Sequence, residues 1–173
     1  HDPDTFRVLA AIGVKPGWSV LDVGPGAGVT TRWLANEVGR DGSVLALDRD
    51  TRLLSELAEP ENLDLMEADA LTAQPGAFDL VHCRILLMHL PRRADLLARM
   101  ASWLRPGGWL VVAVPACLDR ARRGRGVRVV AVVGLDAVRV AVEVMVVFVR
   151  RGRRRRRRAG FRRAVLVAAR AED

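Results

Sequence analysis

Three glycines stand within five residues in the stretch Asp22-Val23-Gly24-Pro25-Gly26-Ala27-Gly28. Glycines so placed let a backbone turn sharply and come close to a ligand, because no Cβ stands in the way. A dinucleotide fingerprint requires G-x-G-x-x-G, but position 29 is Val29, and the spacing G-x-G-x-G favours a ligand without a pyrophosphate. Asp22 points the same way, since a carboxylate at the loop entrance repels phosphate yet can bind or orient an ammonium group. The competing reading is a glycine turn that only packs a helix on a strand. Asp48 is the next informative residue, because a carboxylate accepts two hydrogen bonds and can clamp the two vicinal hydroxyls of a ribose. Asp48 or Asp50 could instead cap a helix starting near Thr51. Taken together, the glycine loop and Asp48 favour recognition of an adenosine.

These residues need elements to position them. Thr5 to Ile12 has helical spacing behind Asp4, a plausible N-cap, and stops at Gly13 before a Lys15-Pro16-Gly17 turn. Trp18 to Val23 is a short apolar run ending in the glycines, after which Val29 to Val38 resumes helical periodicity. Ser43 to Asp48 predicts a second strand, and Leu53, Leu54 and Leu57 a helix that Pro60 closes. Leu63 to Glu67 and Phe78 to Cys83 predict two further buried strands. A helix is expected from Arg92 to Leu104, ended by Pro106-Gly107-Gly108, and a fifth strand from Trp109 to Val114. Strands alternating with helices at these separations imply an α/β, Rossmann-like, doubly wound and mainly parallel sheet with helices on both faces. Ligands of such sheets sit beyond the carboxyl ends of the strands, where the strand order reverses.

Over about residues 1–118 the chain resembles a class I S-adenosylmethionine-dependent methyltransferase. Its motifs are the glycine run Val20 to Gly28, Asp48, the segment Glu67-Ala68-Asp69-Ala70, Phe78-Asp79-Leu80-Val81, Leu86 to Pro91, and Leu104 to Leu110 with its Pro-Gly-Gly. The resemblance implies S-adenosyl-L-methionine as cofactor, with Gly24, Pro25, Gly26 and Gly28 holding its methionine part and Asp22 at the loop entrance. It implies Asp48, with Arg49 beside it, at the ribose, and Asp69 with Ala70 at the adenine edge. Cys83 and Arg84, after the fourth strand, would border cofactor and substrate. The implied activity is methyl transfer to an O, N or C nucleophile of a small molecule. His89 is the nearest candidate general base by position, with His82 behind it, although the apolar strand neighbours of His82 and the helix after His89 favour hydrogen-bonded structural histidines.

At 173 residues and 50% hydrophobic, the chain can bury a sizeable core as one domain. Residues 1–118 carry 11 Lys and Arg against 15 Asp and Glu, and residues 119–173 carry 17 against 5, so the net charge of +8 belongs wholly to the second part. That part uses nine residue types and includes the run Arg153 to Arg158. Strands near 127–133, 138–149 and 164–170 would complete the sheet; the other readings are a solvated or disordered segment, favoured because no aromatic residue interleaves the arginines, a nucleic-acid-binding tail, or GC-rich coding sequence read out of frame. The amphipathic helix that the resemblance leads one to expect after the fifth strand is missing. Cys83 and Cys117 fit neither a zinc spacing nor a disulfide framework, so no metal is expected, and the cytoplasm is the expected compartment. The most apolar stretch, Val138 to Val149, is too short for a bilayer span and contains Arg139 and Glu143, so no membrane partner is expected. The acidic first part, without a basic patch, argues against a nucleic-acid substrate. The alternatives in other classes are an NAD-dependent oxidoreductase, which Val29 and Asp22 oppose, and a non-catalytic methyltransferase-like protein with an arginine-rich tail.

Overall fold

A computed structural model describes residues 3–55, 60–113 and 130–134. In chain order the elements are α1 (Pro3–Ala11), β1 (Ser19–Val23), α2 (Val29–Val38), β2 (Ser43–Asp48), α3 (Arg52–Ser55), β3 (Leu63–Glu67) and β4 (Phe78–Arg84). A 3₁₀ turn (Leu86–His89), α4 (Arg93–Ser102), β5 (Leu104–Ala113) and β6 (Val130–Gly134) follow. The strand order is β3-β2-β1-β4-β5-β6. The first five strands are parallel, and β6 pairs antiparallel with β5. The order reverses between β1 and β4, so the crevice at their carboxyl ends is the switch point at which such sheets bind ligands.

Each face of the sheet carries its own core. One holds Val8 and Leu9 of α1, Leu34, Ala35 and Val38 of α2, and Leu54 of α3 against Val20, Val44, Leu80 and Val111. The other packs Leu96 and Met100 of α4, with Trp103, on Leu21, Val81, Cys83, Leu110 and Val112. The alternation along β1 and β5, neighbours turning to opposite clusters, is the period-2 geometry of a strand covered on both sides. Phe6 stacks on Trp33 with ring centroids 5.2 Å apart, joining α1 to α2. Asn62 closes the end of α2, its Nδ2 donating to the carbonyls of Ala35 at 2.9 Å and Gly39 at 2.8 Å.

Two boundaries depart from the sequence reading. The helix from Arg92 stops at Ser102, and β5 begins at Leu104 rather than Trp109, so Pro106-Gly107-Gly108 lies inside β5 as a bulge. A Cβ on Gly108 would lie 3.0–3.1 Å from the carbonyl oxygens of Arg105, Asp79 and Phe78, which is why the bulge takes a glycine there. The segment after β4 is a single 3₁₀ turn; Leu90, ahead of Pro91, is extended at φ −107° and ψ 127°, as the residue before a proline prefers. Of the strands expected in the second part, residues 138–149 and 164–170 lie outside the described residues.

Candidate functional site

The first wall of the crevice is the loop after β1. Gly24, Gly26 and Gly28 all have positive φ, at 71°, 57° and 71°, a region that side chains with a Cβ rarely enter. Gly24 N–H donates to the Leu47 carbonyl at 2.9 Å, so the loop leaves the sheet only after one more bond to β2. Gly28 immediately precedes α2, and its carbonyl accepts from Arg32 N–H at 2.9 Å, the first turn of the helix. A Cβ built on Gly26, which is exposed, meets nothing within 4 Å, so the loop is uncovered at that position.

The loops after β2 and β3 extend this wall. Asp48 ends β2, and its Oδ1 accepts from the N–H groups of Arg49 at 2.7 Å and Asp50 at 3.3 Å. The capping of α3 falls to Asp50, whose Oδ1 takes Arg52 N–H at 3.1 Å; the Arg52 guanidinium beside it holds the Asp50 carboxyl down at about 2. Asp69 follows β3 and accepts Leu71 N–H at 2.8 Å, while Arg49 Nε lies 4.0 Å from its other oxygen. Thr51 Oγ1 donates to Glu67 at 2.9 Å and Ala68 N–H to the Asp48 carbonyl at 2.8 Å, tying the two loops together. Arg99 of α4 braces the Asp69 loop from behind, donating from Nε to the Ala70 carbonyl at 3.1 Å and from its terminal nitrogen to the Ala73 carbonyl. Its guanidinium also lies 5.5 Å from the Trp103 ring centroid. Gly24 to Gly28, Asp48 and Asp69 with Ala70 therefore stand in one row, at the carboxyl ends of three adjacent strands.

The second wall is the loop after β4. Ile85 has φ 67° and ψ −20°, the one non-glycine residue at positive φ among those described, with its N–H held by the Ala113 carbonyl at 2.8 Å. Leu86 crosses to the first wall: its Cδ2 would lie 3.0 Å from a Cβ on Gly24. His89 is exposed at the end of the 3₁₀ turn, and Met88 beside it is exposed as well.

Two sequence expectations need correction. Asp22 is 1% exposed, with Oδ2 taking the Thr31 hydroxyl at 2.6 Å and Oδ1 facing His82 Nδ1 at 2.8 Å, so it braces the loop from beneath instead of presenting itself at its entrance. Cys83 is fully buried in the α4-side core, with Leu86 and Leu87 of the second wall packed over that core, so it lies beneath the loop instead of lining the crevice; burial, then the Asp22 charge, push its thiol up to about 12. His82 is 1% exposed with Nδ1 2.8 Å from Asp22 Oδ1, the hydrogen-bonded structural histidine that the sequence favours. Ile85, Thr31 and Arg99 were missed: an isoleucine in an apolar run carries no mark of a left-handed turn, and the partners of Thr31 and Arg99 lie 9 and up to 29 residues away. Among the described residues no cluster of His, Cys, Asp and Glu could hold a metal ion, and no helix is long and apolar enough to cross a membrane.

A family model described as a methyltransferase domain matches residues 21–112, just over half of the chain. The chain belongs to the methyltransferase domain family. The match runs from the strand before the glycine loop to the end of β5 and so spans both walls. This methyltransferase-domain chain is 32% identical over 118 residues to a ubiquinone biosynthesis O-methyltransferase of Burkholderia thailandensis, covering 64% of the chain and 50% of the relative. It is 37% identical over 114 residues to a trans-aconitate 2-methyltransferase of Deinococcus radiodurans, covering 65% and 43%. The chain thus spans about half the length of these curated relatives. A crystal structure of a SAM-dependent methyltransferase from Aquifex aeolicus shares the fold, with a TM-score of 0.57 at 23% identity over 71% of this chain and 73% of that one.

Proposed function

We propose that the chain binds S-adenosyl-L-methionine along the carboxyl edge of β1, β2 and β3 and transfers its methyl group to an O, N or C nucleophile of a small molecule. The observation that carries this is the row itself: a glycine loop uncovered at Gly26, then Asp48, then Asp69, at the carboxyl ends of three consecutive neighbours of the sheet beside the switch point. In this reading Gly24, Pro25, Gly26 and Gly28 cradle the methionine part, Asp48 with Arg49 meets the ribose, and Asp69 with Ala70 meets the adenine. When bound, the cofactor supplies a methyl on a positively charged sulfur, transferred in a single displacement. The chain's part is to align the acceptor with that methyl, to exclude water, and to favour a transition state in which positive charge is fading.

His89, beside the crevice, takes the acceptor's proton where the acceptor is a hydroxyl. Arg84 at the end of β4 borders the acceptor side. The relatives named for trans-aconitate and for ubiquinone biosynthesis support a small acceptor, as does the excess of acid over base in residues 1–118. We take these residues as the cofactor-binding core and the cytoplasm as its compartment, the latter on two cysteines whose spacing makes no disulfide framework. Calorimetric titration with S-adenosylhomocysteine tests the reading, alongside thermal shifts with S-adenosylhomocysteine and with NAD. Saturable binding of S-adenosylhomocysteine is expected, with no shift from NAD; the reverse pattern would sink it.

A further inference from the structure

Among the described residues, His82 Nε2 is the one buried side-chain nitrogen or oxygen without a hydrogen-bond partner. His82 lies between Leu80 of its own strand and Val111 of β5, on the face that packs against α1 and α2. A leucine or valine there would fill similar space with no polar atom to desolvate, so the imidazole is unfavourable except for what its other nitrogen does. That nitrogen, Nδ1, lies 2.8 Å from Asp22 Oδ1, with the side chains 1% and 2% exposed. With its hydrogen on Nδ1, the ring donates to the Asp22 side chain. Asp22 and His82 are register partners on β1 and β4, the two strands that flank the switch point.

The other oxygen of Asp22 takes the Thr31 hydroxyl at 2.6 Å, and Thr31 is in the first turn of α2, just past the glycine loop. One carboxylate therefore joins the strand that enters the loop, the helix that leaves it, and the strand of the opposite wall. We propose that His82 is a positioning residue: by orienting Asp22 it sets the pitch of the Gly24–Gly28 loop against β4, and so acts on cofactor affinity. The proposal rests on reading the crevice as an S-adenosylmethionine site. His82 touches no ligand; its effect passes through Asp22 and Thr31.

The test uses the full chain with His82→Leu, which removes the donor, and His82→Asn, whose amide nitrogen can occupy the place of Nδ1. Melting temperature and calorimetric affinity for S-adenosylhomocysteine are measured for both. His82→Leu is expected to bind about tenfold more weakly, the loss of one charge-assisted hydrogen bond, and His82→Asn to recover most of that affinity. If His82→Leu does not fold, Thr31→Val against Thr31→Ser asks the same question of the carboxylate's other oxygen. Equal affinities for the two members of the pair in use, whatever their melting temperatures, overturn the proposal and leave the site assignment standing. Failure of the unsubstituted chain to bind S-adenosylhomocysteine overturns both.

Discussion

At the end of β1 the chain turns through Gly24, Gly26 and Gly28 at φ of 71°, 57° and 71°; at the end of β4 it turns through Ile85 at φ 67°. Both walls of the crevice thus use left-handed backbone, but at opposite energetic expense. Glycine enters that region without a steric penalty, whereas a β-branched residue held there stores on the order of 1–3 kcal/mol. Such strain persists only where neighbours over-determine the conformation. Here the Ala113 carbonyl fixes the Ile85 N–H, and the next residue, Leu86, packs against Gly24. The first wall is a permissive turn that a ligand can approach, and the second is a stiff one held in place by the sheet.

The largest effect is expected where a Cβ is put into the permissive wall. Gly24→Val forces a β-branched residue to φ 71° and brings its Cβ to 3.0 Å from Leu86 Cδ2. Backbone strain and overpacking together should cost about 2–4 kcal/mol in urea unfolding, with loss of S-adenosylhomocysteine binding. A variant that kept both stability and binding would mean that the loop does not need glycine there.

Asp48→Ala comes next, acting on ligand more than on fold. It removes the proposed ribose acceptor, so affinity for S-adenosylhomocysteine should fall about tenfold or more. Asp48→Asn keeps an oxygen for the N–H groups of Arg49 and Asp50, and should hold the melting temperature while binding weakly. If the two variants lose stability and affinity in parallel, Asp48 serves the turn alone.

The stiff wall also carries Cys83, whose thiol is raised from its ordinary 9.0 to about 12, first by burial and then by the Asp22 charge. Between these values the unfolded chain has released the thiol proton and the folded chain retains it. Stability is therefore fully present below pH 9 and is lost as pH rises toward 12, by up to about 1.4 kcal/mol per pH unit. The chain has no tyrosine, and Lys15 is its one lysine, so few other groups titrate in that window. Cys83→Val should flatten the alkaline limb of a denaturation series; an unchanged limb would assign the loss elsewhere.

The two walls also differ in how far the sequence discloses them. Glycine marks the first turn openly, and the apolar runs between Gly, Pro and Asp give β1, β2 and β3 within a residue or so. Alternation along β1 even contains the correction to Asp22, since a residue two places from the buried Val20 shares its face. Nothing comparable marks Ile85, because its conformation is imposed by β5 and by Leu86, not by its own preference. The extension of β5 back to Leu104 was hidden for the opposite reason: Pro106-Gly107-Gly108 has the composition of a turn, and pairing with β4 on either side turns it into a bulge. The partners of Thr31, His82 and Arg99 are set by topology, which a linear pattern reaches only after the strand order is known.

The smallest expected change is the sharpest measure of the difference between the walls. Ile85→Asn gives up part of a half-buried apolar side chain, but asparagine enters the left-handed region far more readily, so relief of strain should offset the lost packing. Ile85→Val loses a methylene and keeps the β-branch, with no relief, and should cost about 0.5–1.5 kcal/mol. Urea unfolding should therefore place Ile85→Asn within about 1 kcal/mol of the unsubstituted chain, close to the valine variant despite its larger chemical change. If asparagine instead proves more than about 2 kcal/mol worse than valine, packing outweighs strain at Ile85. The second wall would then be held by its apolar contacts, and the contrast with the glycine loop would be one of composition alone.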